Sequence, residues 1–252
     1  MDIHKPKAWH GWREFLKEYA IIVAGVLTAL AGEQFVEWAH WQHRVEVADK
    51  AIRKDLALTS YFAAERVALF RCHQQRLDDL EAAIQASGEV WTNELPPSAG
   101  GLRFHSAYWV PTRFWNTEDW DTLVGDGTAS HLPRERARNL ALLYHTVRTM
   151  AAHNHEENLE VGGLEPLAIK GLRLTPEVKV QLIRSVGVLK HKNDLENLIS
   201  RQILRRISEA GDLPSLAWTR QQLANDSAAL NCRYADEALT TRVAAEWMAL
   251  KN

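Results

Sequence analysis

An all-α fold is what the sequence predicts: one N-terminal transmembrane helix continuing into a long amphipathic stalk helix, followed by a soluble helical bundle. Three observations predict it. An apolar run near the N-terminus is bracketed by tryptophans, apolar residues recur at steps of three and four over most of the remainder, and no convincing strand pattern or internal repeat is present. The expected boundaries are a tail over 1–14, the membrane helix over 15–38, the stalk over 39–88 and a helical domain over 89–252 packed on that stalk.

The membrane helix rests on the run from Tyr19 to Gly32, which alone is shorter than the ~20 residues a spanning helix needs. Phe15 and Leu16 extend it upstream, and Phe35, Val36 and Trp38 extend it downstream. A helix from Phe15 to Trp38 then covers about 36 Å at ~1.5 Å per residue, enough for a hydrocarbon core of ~30 Å. Lys17 and Glu33 fall close enough to its ends to reach the headgroups. Trp9 and Trp12 before the run and Trp38 and Trp41 after it have the placement of interfacial belts, where an indole ring is half dry and its N–H meets water. Two other readings compete. Ala29-Leu30-Ala31 has the small-x-small form of a signal-peptidase site, and a core helix of a soluble protein is also apolar. The paired tryptophans and the near absence of charge favour a retained span.

Orientation follows from the flanks. Lys5, Lys7, Arg13 and Lys17 outnumber the acids of the tail, whereas Glu33 and Glu37 precede the first downstream arginine, Arg44. The positive-inside tendency keeps such an N-terminus in the cytoplasm and exports the rest, as a signal anchor does. Within the span Ala20, Ala24, Thr28 and Gly32 recur every fourth residue, with Gly25 and Ala29 alongside. Small residues at that spacing let helix backbones approach closely in lipid, although Ala and Gly are also simply common in membrane helices.

No Pro or Gly interrupts the chain from Trp41 to Gly88, and Val45, Ala48, Ile52, Leu56, Thr59, Ala63, Val67, Phe70, Leu77, Leu80 and Ile84 trace one helical face. Residues 94–101 are punctuated as a loop by Pro and Gly. An aromatic stretch from Phe104 to Trp120 then reads either as a cluster that packs helices together or as a ligand pocket. A short helix is expected over Thr117–Val124, ended by the turn Gly125-Asp-Gly127. Pro133 opens another, with Leu140, Leu143, Tyr144, Val147 and Met150 as its buried stripe and Gly162-Gly163 as its end. Thr175 as N-cap and Pro176 in the first turn start a helix that carries its stripe from Val178 through Leu182, Val186, Leu189, Leu195, Ile199 and Ile203 to Ile207. A last helix, with room for a break, is expected from Pro214 to Leu250.

Chemistry is sparsely signalled. Lys and Arg total 30 against 32 Asp and Glu, a net charge of -2, so nothing pulls the chain toward nucleic acid. Phosphate-loop, dinucleotide, nucleophile-elbow and CxxC signatures are absent from the sequence, and no cofactor is expected. His153 and Glu157, four apart on one helix, are the weak candidates for a metal pair, without the HExxH pattern that would make them specific. His40 and His43 share a face just beyond the span and read as interfacial polar residues, a pH-sensitive collar in an oligomer being the alternative; Arg201, Arg205 and Arg206 form a small basic patch that reads as a solvated face. Cys72 and Cys232 are the only cysteines, and an exported domain would allow a disulfide between them.

The block from Glu14 to Glu37, EFLKEYAIIVAGVLTALAGEQFVE, resembles the opening of a group of uncharacterised single-span proteins of alphaproteobacteria, sphingomonads especially. The resemblance covers about 30 residues of the membrane segment; it implies an inner-membrane protein with an exported helical region and brings no activity or catalytic residue. The expected partners are the lipid bilayer and either further copies of the chain or a larger membrane complex. The expected role is a non-enzymatic anchored scaffold or accessory subunit of an envelope complex. A periplasmic ligand-sensing bundle is the alternative, and a metal-dependent enzyme ranks behind it.

Overall fold

The computed structural model describes residues 11–92 and 107–225; Trp9, Phe104, Cys232 and the helix expected beyond residue 225 lie outside them. Five α-helices and no strand occur among the described residues: α1 (Trp12–Ala86), α2 (Glu118–Gly125), α3 (Arg134–Val161), α4 (Pro176–Glu209) and α5 (Leu216–Asn225). Predicted span and predicted stalk are one element. At 75 residues α1 reaches about 112 Å at ~1.5 Å per residue, with no break where they meet. It ends at Ala86, where Ser87 turns extended and its hydroxyl donates to the Ala83 carbonyl at 2.7 Å.

The chain climbs α1 and then doubles back along it. Trp91 and Leu174 tie the end of that climb to the entry of α4 through two backbone hydrogen bonds, Trp91 N–H to Leu172 and Leu174 N–H to Glu89. The returning segment over 107–117 runs down α1 toward its N-terminus: Arg76 donates to the Ala107 carbonyl, Arg66 to Pro111, and Trp115 packs edge-on against Phe62. After α2 comes a 3-10 turn, Thr128–His131, introduced by Gly127 at φ 83, a left-handed conformation that glycine adopts without a Cβ clash. His131 stacks flat on Trp41 with ring centroids 3.8 Å apart, and Arg44, lying over the same indole, pairs with Asp126. The bundle thus closes on α1 within a turn of Trp38.

From there α3 rises parallel to α1, Arg136 meeting Asp49 near its start and Glu157 meeting Arg66 near its end. Pro133 stands at the N-cap rather than inside the first turn. A 3-10 segment, Gly162–Ala168, reverses the chain; a Cβ at Gly163 would fall 2.4 Å from the Ser185 hydroxyl and 3.1 Å from the Ser185 Cβ, so a larger residue there would have to displace that side chain of α4. α4 then descends antiparallel to α1, capped by the Thr175 hydroxyl accepting from the Val178 N–H. Gly211, at φ 76, ends it, and α5 packs beside α1.

Burial follows a heptad-like seam on all three long helices. On α1 it reads Ile52, Leu56, Thr59, Ala63, Arg66, His73, Leu77, Leu80, Ile84, with half-buried Phe70 on the same line; on α3 it reads Leu140, Leu143, Val147, Met150, Asn154, Glu157; on α4 it reads Leu182, Val186, Leu189, Asn193, Glu196, Ser200, Ile203, Ile207. The apolar members separate into two cores. One, nearer the predicted span, gathers Leu56, Val67, Tyr144, Met150, Ile203 and Trp120. The far one gathers Leu77, Ile84, Trp91, Leu164, Leu182 and Leu189. What lies between them is charged.

Candidate functional site

The layer between the two cores takes one side chain from each long helix. Arg66 of α1 sits with its side chain 3% exposed, Glu157 of α3 at 0% and Glu196 of α4 at 1%. The guanidinium approaches Glu157 Oε2 at 2.7 Å and Glu196 Oε2 at 2.8 Å, and also donates to the Pro111 carbonyl at 2.8 Å. These carboxylate approaches are ionic contacts rather than well-aligned hydrogen bonds, and Ser200 Oγ, one turn along α4 from Glu196, meets no hydrogen-bond partner. Arg66 is the only cation among the described residues within ion-pair distance of either carboxylate. Taking three charges out of water costs several kcal/mol each, on the order of what close pairing returns. The layer is therefore not explained by stability alone.

Other polar groups enclose it. Glu65, next to Arg66, is completely buried and bonded by Arg113 through two nitrogens at 2.6 and 2.7 Å, while that guanidinium lies over the Tyr61 and Phe62 rings. Asn154 donates to the Pro111 carbonyl that Arg66 also uses and accepts from the Arg113 N–H. Asn193 donates to the Phe70 carbonyl and to Gln74. His73 packs edge-on against Tyr108, and both are buried.

Electrostatics follow from this burial. Burial pushes the Glu196 carboxyl up to about 8; Arg66 opposes the shift and the adjacent Glu157 adds to it. Burial lowers the His73 imidazole to about 3, helped by the nearby Arg66 charge, so His73 is neutral at physiological pH. Burial likewise raises the Tyr108 phenol well above its ordinary value, with Glu157 reinforcing it. For Arg66 burial works against the charge, but Glu157 and Glu196 outweigh it and its pKa rises.

The residues singled out from sequence are dispersed. Glu157 is in this layer but faces Arg66; His153 is partly exposed, its Nδ1 3.8 Å from Glu156. No cluster of three or more His, Cys, Asp or Glu suited to a metal occurs among the described residues. Of the aromatic stretch, Tyr108, Trp115 and Trp120 are buried, Trp120 stacking on Tyr144, while Phe114 is 89% exposed. Those buried rings fill the bundle. Ala20, Ala24, Gly25, Thr28, Ala29 and Gly32 are exposed, except that Thr28 turns its hydroxyl back to the Ala24 carbonyl. Trp12 and Trp38 are exposed, and Trp41 is half-buried under His131. Cys72 is disulfide-bonded rather than a free thiol; Cys232, the chain's other cysteine, is outside the described residues.

Sequence reading missed Glu65, Arg66, His73, Arg113, Asn193 and Glu196. Register alone puts four of them on buried faces, that of α4 passing through Asn193 and Glu196 and that of α1 through Arg66 and His73, without showing that they meet. No protein-family model, curated protein or solved structure matches the chain.

Proposed function

We propose that this chain is a membrane-anchored helical scaffold or accessory subunit of an envelope complex, acting by holding and positioning partners rather than by catalysis. The observation that carries the reading is α1. Among the described residues one helix, α1, is long and apolar enough to cross a membrane: an 18-residue window of it has mean hydropathy 1.6, and none of that window is buried. Ile21, Ile22, Val26, Leu27 and Leu30 lie at least half exposed, a surface that lipid or another apolar helix covers. The same helix then becomes the spine of the bundle without a joint.

The tail's basic residues favour a cytoplasmic N-terminus and a bundle on the far side of an inner membrane, and a disulfide-bonded Cys72 fits an oxidising compartment. Self-association through the small-residue face has an independent test. A Cβ added at Gly25 or Gly32 meets nothing within 4 Å, so a larger side chain there disturbs nothing inside the chain. Gly25→Leu is expected to leave bundle unfolding unchanged and to lower the oligomeric mass of protein extracted from its native membrane in mild detergent. A defined oligomer or a stoichiometric partner in that extract supports the scaffold. A bare monomer, free of any copurifying protein, overturns it.

A further inference from the structure

We infer that Glu157 and Glu196 hold a single proton between them, and that this shared proton locks the two halves of the bundle together and is released when the surroundings turn alkaline. The inference stands on charge balance in a place closed to water and is independent of the scaffold reading. Two carboxylates from different helices converge on one guanidinium, all three side chains at most 3% exposed. With both carboxylates ionised the group carries one uncompensated negative charge in a low-dielectric interior, and like charges at this range do not both persist there. One proton removes the excess, and the two carboxyls that share it each bring an oxygen within 2.8 Å of the same guanidinium.

Among the described residues, no cation other than Arg66 is within ion-pair distance of the pair. From α1 come Arg66, already counted, and His73, held neutral by burial; Glu65 beside them is matched by Arg113. From the returning segment comes Tyr108, whose phenol stays protonated. From α4 comes Lys192, whose ammonium is engaged by Glu156 of α3 at 2.8 Å on the rim of the layer. Taking up the proton from water and returning it to hydroxide are the only chemical steps required. Once it has gone, two carboxylates compete for one guanidinium, and the repulsion acts between α3 and α4 at the level where the two cores meet.

The sign follows from the Glu196 shift. Its carboxyl is raised from 4.5 to about 8, so its stabilising contribution is complete below 4.5 and is lost as pH rises toward 8. The test uses full-length protein in mild detergent, melted across this range beside Glu196→Gln, which keeps the shape and cannot ionise. The wild-type melting temperature should fall relative to the variant as pH rises, the gap closing or reversing on the alkaline side. A difference that stays constant with pH overturns the inference. Infrared spectroscopy of the wild type reads the proton itself and needs no variant to fold. A protonated-carboxyl C=O band at neutral pH that vanishes on titration to the alkaline side supports the lock; its absence at neutral pH refutes it.

Discussion

The two halves of α1 invert the usual relation between polarity and burial. From Phe15 to Trp38 the side chains are chiefly apolar, yet Ile22 is 65% exposed and Leu30 50% exposed to everything in the chain. From Phe62 to Leu69 every residue is buried, including Glu65 and Arg66. The difference teaches that composition reports the solvent a helix was built for, whereas burial reports what the rest of the chain wraps around it. The first half is long and apolar enough to cross a membrane; the second packs against α3, α4 and the segment over 107–117.

Breaking the buried half at its charge should have the largest effect. Arg66→Ala leaves the buried Glu157–Glu196 pair with no cation and should cost about 3–5 kcal/mol at neutral pH. Urea unfolding at neutral pH measures the loss. Ile52→Ala, at a fully buried seam position, should cost about 2–5 kcal/mol by the same measurement. The matching change in the bare half, Ile22→Ala, should leave bundle unfolding within about 0.5 kcal/mol of wild type. That pair sharpens the comparison most directly, since one residue type is replaced at two places on one helix.

Smaller effects lie in the titrations and caps. The His73 imidazole is lowered from 6.5 to about 3, so the unfolded chain takes up a proton that the native one refuses. Its contribution is therefore complete above 6.5 and is lost as pH falls toward 3, at about 1.4 kcal/mol per pH unit at the steepest. Stability curves of wild type and His73→Gln should diverge only on that acid side. Thr175→Ala removes the hydroxyl that caps α4 and should cost about 1 kcal/mol, read as a small drop in melting temperature.

Much of this arrangement was legible in the residues. Thr175-Pro176 marked the start of α4, the turn at Gly125–Gly127 marked the end of α2, and the stripe from Leu140 to Met150 is the buried face of α3. Those signals are local, set by backbone chemistry within a turn or by one helical period. The charged layer was not legible because it is a property of three helices at once. On α1, Arg66 lies next to Val67, and a reading that assigns the apolar neighbour to the core leaves the arginine in solvent. On α4, Leu195 and Ile199 likewise flank Glu196. Only when the partner helices supply two carboxylates opposite Arg66 does burial of all three become affordable, and no single stretch of sequence contains that fact. The exposed Phe114 has the opposite character: an aromatic that pattern reading places in a cluster and that the packing leaves outside.

The unbroken passage of α1 from its bare half into the bundle has a mechanical meaning. A helix whose backbone hydrogen bonds run without interruption resists twisting far more than a loop does, so it behaves as a shaft with a bearing where His131 lies against Trp41. A torque applied to the bundle by anything that grips it is delivered to the apolar half as rotation. Whichever face of that half is turned toward a neighbour is thereby set from the other end of the molecule.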